Sequence, residues 1–222
     1  MGGTQRRRRP RSSTAARVAT HCGLAAAVVG LGAVLLATVI AAPETFTWRG
    51  AALSDMGRYG TRTFPLFNGG LVLSGLLGVP FGWRLWHASE TALERVGVAL
   101  LVVATIGLVG VGVFFLGHTE WYLERSFHGP AALTYFAAAP LAQWCYGTGA
   151  VLAGRLRRGL VSIWLAVVHP LAWLGWLSFL VAGGDAGAWF AVPEFVAAVA
   201  FGAWIGFLAV DLEARSRPGD AA

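Results

Sequence analysis

The sequence has no lysine, little charge of either sign and only two cysteines. Charged residues make up 13% of the 222 positions, against roughly 25% in ordinary soluble domains. A globule of this size could not be given a wetted surface with so little charge, which excludes a typical soluble domain. The two cysteines, Cys22 and Cys145, fall inside different apolar runs. They read as small packing residues rather than as a disulfide. No stretch alternates apolar and polar residues as a barrel strand does. There is no His-Glu-x-x-His pair to mark a metalloprotease helix. Nor is there an internal repeat, or a pair of broken apolar segments, to mark a transporter.

What is present is apolar. Hydrophobic residues account for 56% of the chain, and the mean hydropathy is +0.63. A membrane helix needs about 20 mostly apolar residues. Six segments meet that need, at approximately 18–42, 64–86, 96–116, 131–152, 160–182 and 188–210. The expected fold is therefore all-α, a polytopic membrane bundle of six transmembrane helices. The first segment has a basic start and the small-residue exit Ala41-Ala42-Pro43, as a signal peptide has. Its apolar run is longer than a signal core, so an anchor is the preferred reading. Arg6 to Arg9 resemble a twin-arginine signal only superficially, because Pro10, Arg11 and Ser12 follow.

All 17 basic residues are arginine and the formal net charge is +6. Most arginines sit in the N-terminal tail or at the ends of apolar segments, which argues against a nucleic-acid partner. On one side of the expected bundle lie Arg6, Arg7, Arg8, Arg9, Arg11, Arg17, Arg84, Arg95, Arg155, Arg157, Arg158, Arg215 and Arg217. The other side has only Arg49, Arg58, Arg62 and Arg125. The positive-inside rule assigns the first side to the cytoplasm, so both termini are expected there, in the cell membrane. The expected organisation is a basic tail over 1–17, a membrane domain over 18–211 and a short tail over 212–222. Trp48, Trp121, Tyr122 and Trp189 fall near the outer boundary, and Trp83 and Trp86 near the inner one, where amphipathic rings anchor.

The outer side gathers the polar chemistry. The first outer connection holds Ser54, Asp55, Arg58, Tyr59 and Arg62. The second holds His118, Glu120, Glu124, Arg125 and His128, and the third holds Asp185. Asn68 and Glu194 are expected one to two turns below the outer boundary, and His169 roughly 13 Å into its span. Ionised groups at such depths are costly facing lipid, so they should face the bundle interior. Ser54, Asp55, Arg58, Asn68, His118, His128, His169 and Glu194 are the candidate pocket residues. Structural roles compete with that reading. Asp55 with Arg58 is equally a loop ion pair or cap, and Asn68 equally a bond to a neighbouring helix. His118 and His128 suit an interface, and Glu194 a helix start. His169 precedes Pro170, which frees a carbonyl for it to serve.

Several short motifs recur in a known order. Leu53-Ser54-Asp55-Met56-Gly57 is followed by Phe67-Asn68-Gly69-Gly70-Leu71. Then come Val111-Gly112-Val113-Phe114, His128-Gly129-Pro130-Ala131-Ala132 and Tyr135-Phe136. Their order and spacing resemble the domain-of-unknown-function 998 membrane family. Met56 stands where that pattern has leucine, and Phe115-Leu116 replaces a Pro-Glu pair. The resemblance implies a six-span fold and brings no activity with it.

Two functions fit the polar outer end. One is a non-enzymatic protein that binds a membrane lipid or small amphiphile in an outward-facing pocket. The other is a membrane-embedded lipid hydrolase that uses Ser54, Asp55 and the histidines. In that reading His118, His128 and His169 are candidate zinc ligands, since zinc-bound water is a nucleophile near neutral pH. A haem carrier would need paired axial ligands at similar depth, which His21 and His169 do not offer.

Overall fold

The computed structural model describes residues 13–216. Arg6 to Arg11 and Arg217, and with them most of the expected basic tail, lie outside the described residues. Within 13–216 the fold is all-α, with no strand. Six long helices, α1 (Thr14–Ile40), α2 (Phe64–Ala88), α3 (Ala92–Val113), α4 (His128–Leu152), α5 (Leu156–Val181) and α6 (Ala191–Ser216), follow one another. Short 3-10 turns at Leu53–Gly57 and His118–Glu120 interrupt two of the connections. The shortest helix has 22 residues, about 33 Å at 1.5 Å per residue, which exceeds the hydrocarbon thickness of a bilayer.

Local chemistry sets the boundaries and corrects the expected ones by a few residues. Ser13 caps α1 by accepting the Ala16 N–H at 3.2 Å, so the helix starts ahead of the apolar run. It stops at Ile40, because Ala41 turns extended just before Pro43. Thr91 and Glu94 form a reciprocal capping box that starts α3. Gly154, at φ +77, ends α4 in the left-handed conformation that glycine tolerates best. The last helix begins at Ala191 rather than 188, because Trp189 adopts φ +61 and gives its N–H to the Arg49 carbonyl at 2.9 Å.

Each helix packs on its successor, and α6 closes the ring against α1. His21 near the start of α1 meets Glu213 near the end of α6 at 3.9 Å. Both ends of the described chain therefore lie at one end of the bundle, here the basal end. Connections 41–63, 114–127 and 182–190 form the opposite, apical end. Backbones approach closely where glycine leaves room. A Cβ on Gly97 would sit 2.5 Å from the Tyr146 nitrogen, and one on Gly147 would sit 2.9 Å from the Gly159 carbonyl. Trp204, Tyr146, Phe81, Leu85 and Leu101 fill the centre of the ring, so the interior is a packed core. Cys22 and Cys145 are unpaired, on α1 and α4.

Five of the helices, all but α4, are long and apolar enough to cross a membrane. Helix α4 carries its polarity on the inside. Gln143 and Tyr146 are wholly buried there, while Leu133, Leu141, Trp144 and Leu152 face outward.

Candidate functional site

The apical end is assembled around the 3-10 turn Leu53–Gly57. Two carboxylates hold consecutive amides at its start. Asp55 Oδ2 accepts the Ala52 N–H at 2.9 Å, and Glu194 Oε2, reaching over from α6, accepts the Leu53 N–H at 2.6 Å. Asp55 Oδ1 also pairs with Arg58 Nη2 at 3.0 Å. At the exit of the turn, Thr63 Oγ1 donates to the Met56 carbonyl at 2.7 Å. Asn68 Nδ2 donates to the Gly57 carbonyl at 2.7 Å and the Phe64 carbonyl at 3.1 Å. A Cβ on Gly57 would lie 2.6 Å from Asn68 Oδ1. The glycine of the Ser-Asp-Met-Gly motif and the asparagine of the Phe-Asn motif thus form one contact.

The second apical connection folds back on the end of α3. Three consecutive carbonyls there lie past the last α-helical bonds of α3, and three rings serve them, with the Phe115 carbonyl also accepting the backbone N–H of His118 at 3.0 Å. Tyr122 donates its hydroxyl to the Val113 carbonyl. His128 Nδ1 meets the Phe114 carbonyl at 2.8 Å, and His118 Nδ1 meets the Phe115 carbonyl at 2.9 Å. His118 Nε2 also reaches the Arg125 carbonyl at 3.2 Å, and the ring is buried. Both nitrogens of His118 therefore face acceptors.

Of the eight residues expected at a site, Asn68, Glu194 and His128 fasten connections to helices, while Asp55 and His118 bond within their own connections. Ser54 is half-buried in the turn. His169 lies apart. It packs against Phe136 with ring centroids 5.9 Å apart, and Phe136 is eight residues, about 12 Å, along α4 from His128. Its Nδ1 and Nε2 are buried without partners, as is Trp173 Nε1. His118, His128 and His169 therefore do not converge on a zinc ion. Among the described residues no three His, Cys, Asp or Glu side chains are placed to hold a metal together.

A cavity of about 350 Å³ opens at the apical end. Asp55 and Arg58 line it, with Pro43, Glu44, Thr45, Thr47 and Thr61 among the others. The polar residues of 43–47 follow the first apolar run directly and carry no periodic signal, so the sequence did not mark them.

The basal end holds a second polar assembly that the sequence left unmarked. Glu94 is wholly buried and Arg158 is 2% exposed. Glu94 accepts the Glu90 N–H at 2.7 Å and the Thr91 N–H at 3.1 Å, and also pairs with Arg155. Arg155 reaches Glu90 at 3.0 Å as well. Arg158 binds Asp211 through Nε at 3.0 Å and Nη2, and donates to the Tyr146 hydroxyl at 3.1 Å. Arg215 joins Asp211 at 2.9 Å. These pairs link the α4–α5 connection to the start of α3, and α5 to α6.

A ring of apolar helices with its polar groups turned inward and to its ends defines a multi-pass membrane protein. The sequence model of the family described as a protein of unknown function, DUF998, matches residues 24–211. The chain belongs to that family, as the order of its motifs implied. No curated protein and no solved structure matches it.

Proposed function

We propose that the chain crosses the cell membrane six times with both termini in the cytoplasm, and that its apical cavity binds the polar head of a lipid or small amphiphile. The cavity carries the binding reading. Its volume, about 350 Å³, falls at the lower end of small-ligand sites. Its Asp55–Arg58 pair offers an acceptor and a planar cationic donor side by side. The Arg58 side chain is 56% exposed, so its remaining donors are open to an incoming anionic oxygen. The six-span reading is supported by α4, whose polar side chains face the core and whose outer face is apolar. The orientation is supported by thirteen arginines against four.

The binding reading is preferred over hydrolysis on geometry. A Ser or Asp hydrolase needs a base in hydrogen-bond reach of its nucleophile. Among the described residues no histidine is hydrogen-bonded to Ser54 or Asp55; His118 and His128 bond backbone carbonyls instead. Lipid extraction from purified protein, followed by mass spectrometry, tests the binding. A defined amphiphile should copurify with the native chain and be depleted in Arg58→Gln. Equal lipid content in both would refute the reading.

A further inference from the structure

The interface of α4 and α5 holds polar rings that no group among the described residues serves. Two other indoles of the bundle are matched. Trp204 Nε1 donates to Ser162 Oγ at 2.9 Å, and Trp176 Nε1 donates to the Ala188 carbonyl at 3.0 Å. His169 is 1% exposed, and neither of its ring nitrogens has a hydrogen-bond partner among the described residues. Trp173 Nε1, also buried, has none either. His169 and Trp173 are four positions apart on α5, which puts them on one face with Cβ atoms about 6 Å apart. Both rings pack against Phe136 of α4, with centroid distances of 5.9 and 5.2 Å. Three unserved nitrogens thus meet around one aromatic ring. Proline interrupts both helices here. Pro140 stands four residues after Phe136 in α4, and Pro170 four residues after Ala166 in α5. Neither has an N–H, so the Phe136 and Ala166 carbonyls lose their ordinary helical donors. The His169 ring does not serve the carbonyl that Pro170 frees.

Polar groups buried in this way are costly unless something bonds them. The set of groups defines what can do so. A neutral imidazole has one donor and one acceptor nitrogen, and an indole has one donor. An anion or a ketone can only accept, and leaves the bare imidazole nitrogen unserved. A cation leaves both N–H groups unserved. A hydroxyl group suits the whole set: its oxygen accepts from the ring N–H groups, and its hydrogen goes to the bare imidazole nitrogen. We infer that a hydroxyl group binds at the α4–α5 interface, between His169 and Trp173 against the Phe136 ring. It belongs to a water molecule or to a membrane amphiphile. This site is separate from the apical cavity and does not depend on the reading given to it.

The test is solid-state magnetic resonance of the full chain in phosphatidylcholine bilayers, with and without oleyl alcohol. Histidine carries 13C and 15N, proline carries 15N, and the alcohol carries 13C at its hydroxyl-bearing carbon. Among the five histidines only His169 precedes a proline, so a carbonyl-to-proline-nitrogen correlation assigns it in the native chain. Its bare ring nitrogen should resonate upfield of a free imidazole nitrogen, as one that accepts a hydrogen bond does. Magnetisation that reaches the ring from water in phosphatidylcholine alone identifies water as the source. An upfield shift that appears only with oleyl alcohol, with a cross-peak to the labelled carbon, identifies an amphiphile. Trp173→Phe removes the neighbouring indole N–H, and the shift should persist in it. Its loss there would mean that the indole itself bonds His169, and would overturn the inference. A bare nitrogen at the free position in both bilayers overturns it as well. Should Trp173→Phe fail to fold, the native chain still decides: an upfield nitrogen with neither transfer from water nor a cross-peak to the alcohol overturns it.

Discussion

The contact between Gly57 and Asn68 makes a prediction that separates its two partners. Asn68→Ala removes the donor that serves the Gly57 carbonyl at 2.7 Å. The Phe64 carbonyl, the second acceptor, belongs to the first turn of α2 and keeps its helical partner. The cost is then that of one buried carbonyl left unserved, about 1–3 kcal/mol. Gly57→Ala acts differently. Its Cβ would meet Asn68 Oδ1 at 2.6 Å and Phe67 Cδ1 at 2.9 Å, so the turn must shift, at about 1–3 kcal/mol for overpacking. In the double variant the first of those clashes is gone, because the asparagine amide is gone. The double variant should therefore be less destabilised than the sum of the singles, by a coupling of about 0.5 kcal/mol or more. Unfolding midpoints in a fixed detergent, with native, single and double variants in parallel, measure this. Strict additivity would refute the claim that glycine and asparagine are held together by this contact.

Glu94→Gln keeps the bonds to the Glu90 and Thr91 amides but strips the buried partner from Arg155, and should cost about 3 kcal/mol in the same unfolding assay. Glu90→Gln, at a 65% exposed carboxylate on the same arginine, should change stability by no more than about 1 kcal/mol. A larger loss for Glu90 than for Glu94 would invert the account of the basal assembly. His118→Ala leaves the Arg125 carbonyl without its ring partner and the Phe115 carbonyl with only the backbone N–H of residue 118, and should loosen connection 114–127, seen as faster amide hydrogen exchange there with α3 itself unchanged. Exchange rates equal to those of the native chain would remove His118 from its capping role.

The fold was legible in the sequence to the extent that it depends on local composition. Apolar runs long enough to cross a bilayer are a one-dimensional property, and their order predicted the six helices within a few residues. Their ends were less legible, because the Ser13 cap, the left-handed Trp189 and the Thr91–Glu94 box override hydropathy there. The apical residues were visible as polar types in an apolar chain, but their roles were not. Whether Glu194 faces a ligand or the Leu53 amide depends on a contact across 141 positions of sequence. The histidines shared a chemistry, but His169 lies deeper than His118 and His128, which bond neighbouring apical carbonyls, so the three form no common metal centre. The basal network escaped notice because its arginines read as orientation signals. Their acids, Glu94 and Asp211, lie 61 and 53 positions away from the arginines they serve.

Lipid content decides most directly whether the apical cavity is a binding site. Protein purified in mild detergent, with its fold verified by circular dichroism, is extracted, and bound amphiphile is quantified per chain in native and Arg58→Gln forms. A reproducible species near one per chain that falls at least fivefold in Arg58→Gln is the predicted result. The same lipid profile in both forms, at the level of bulk membrane carry-over, would contradict it.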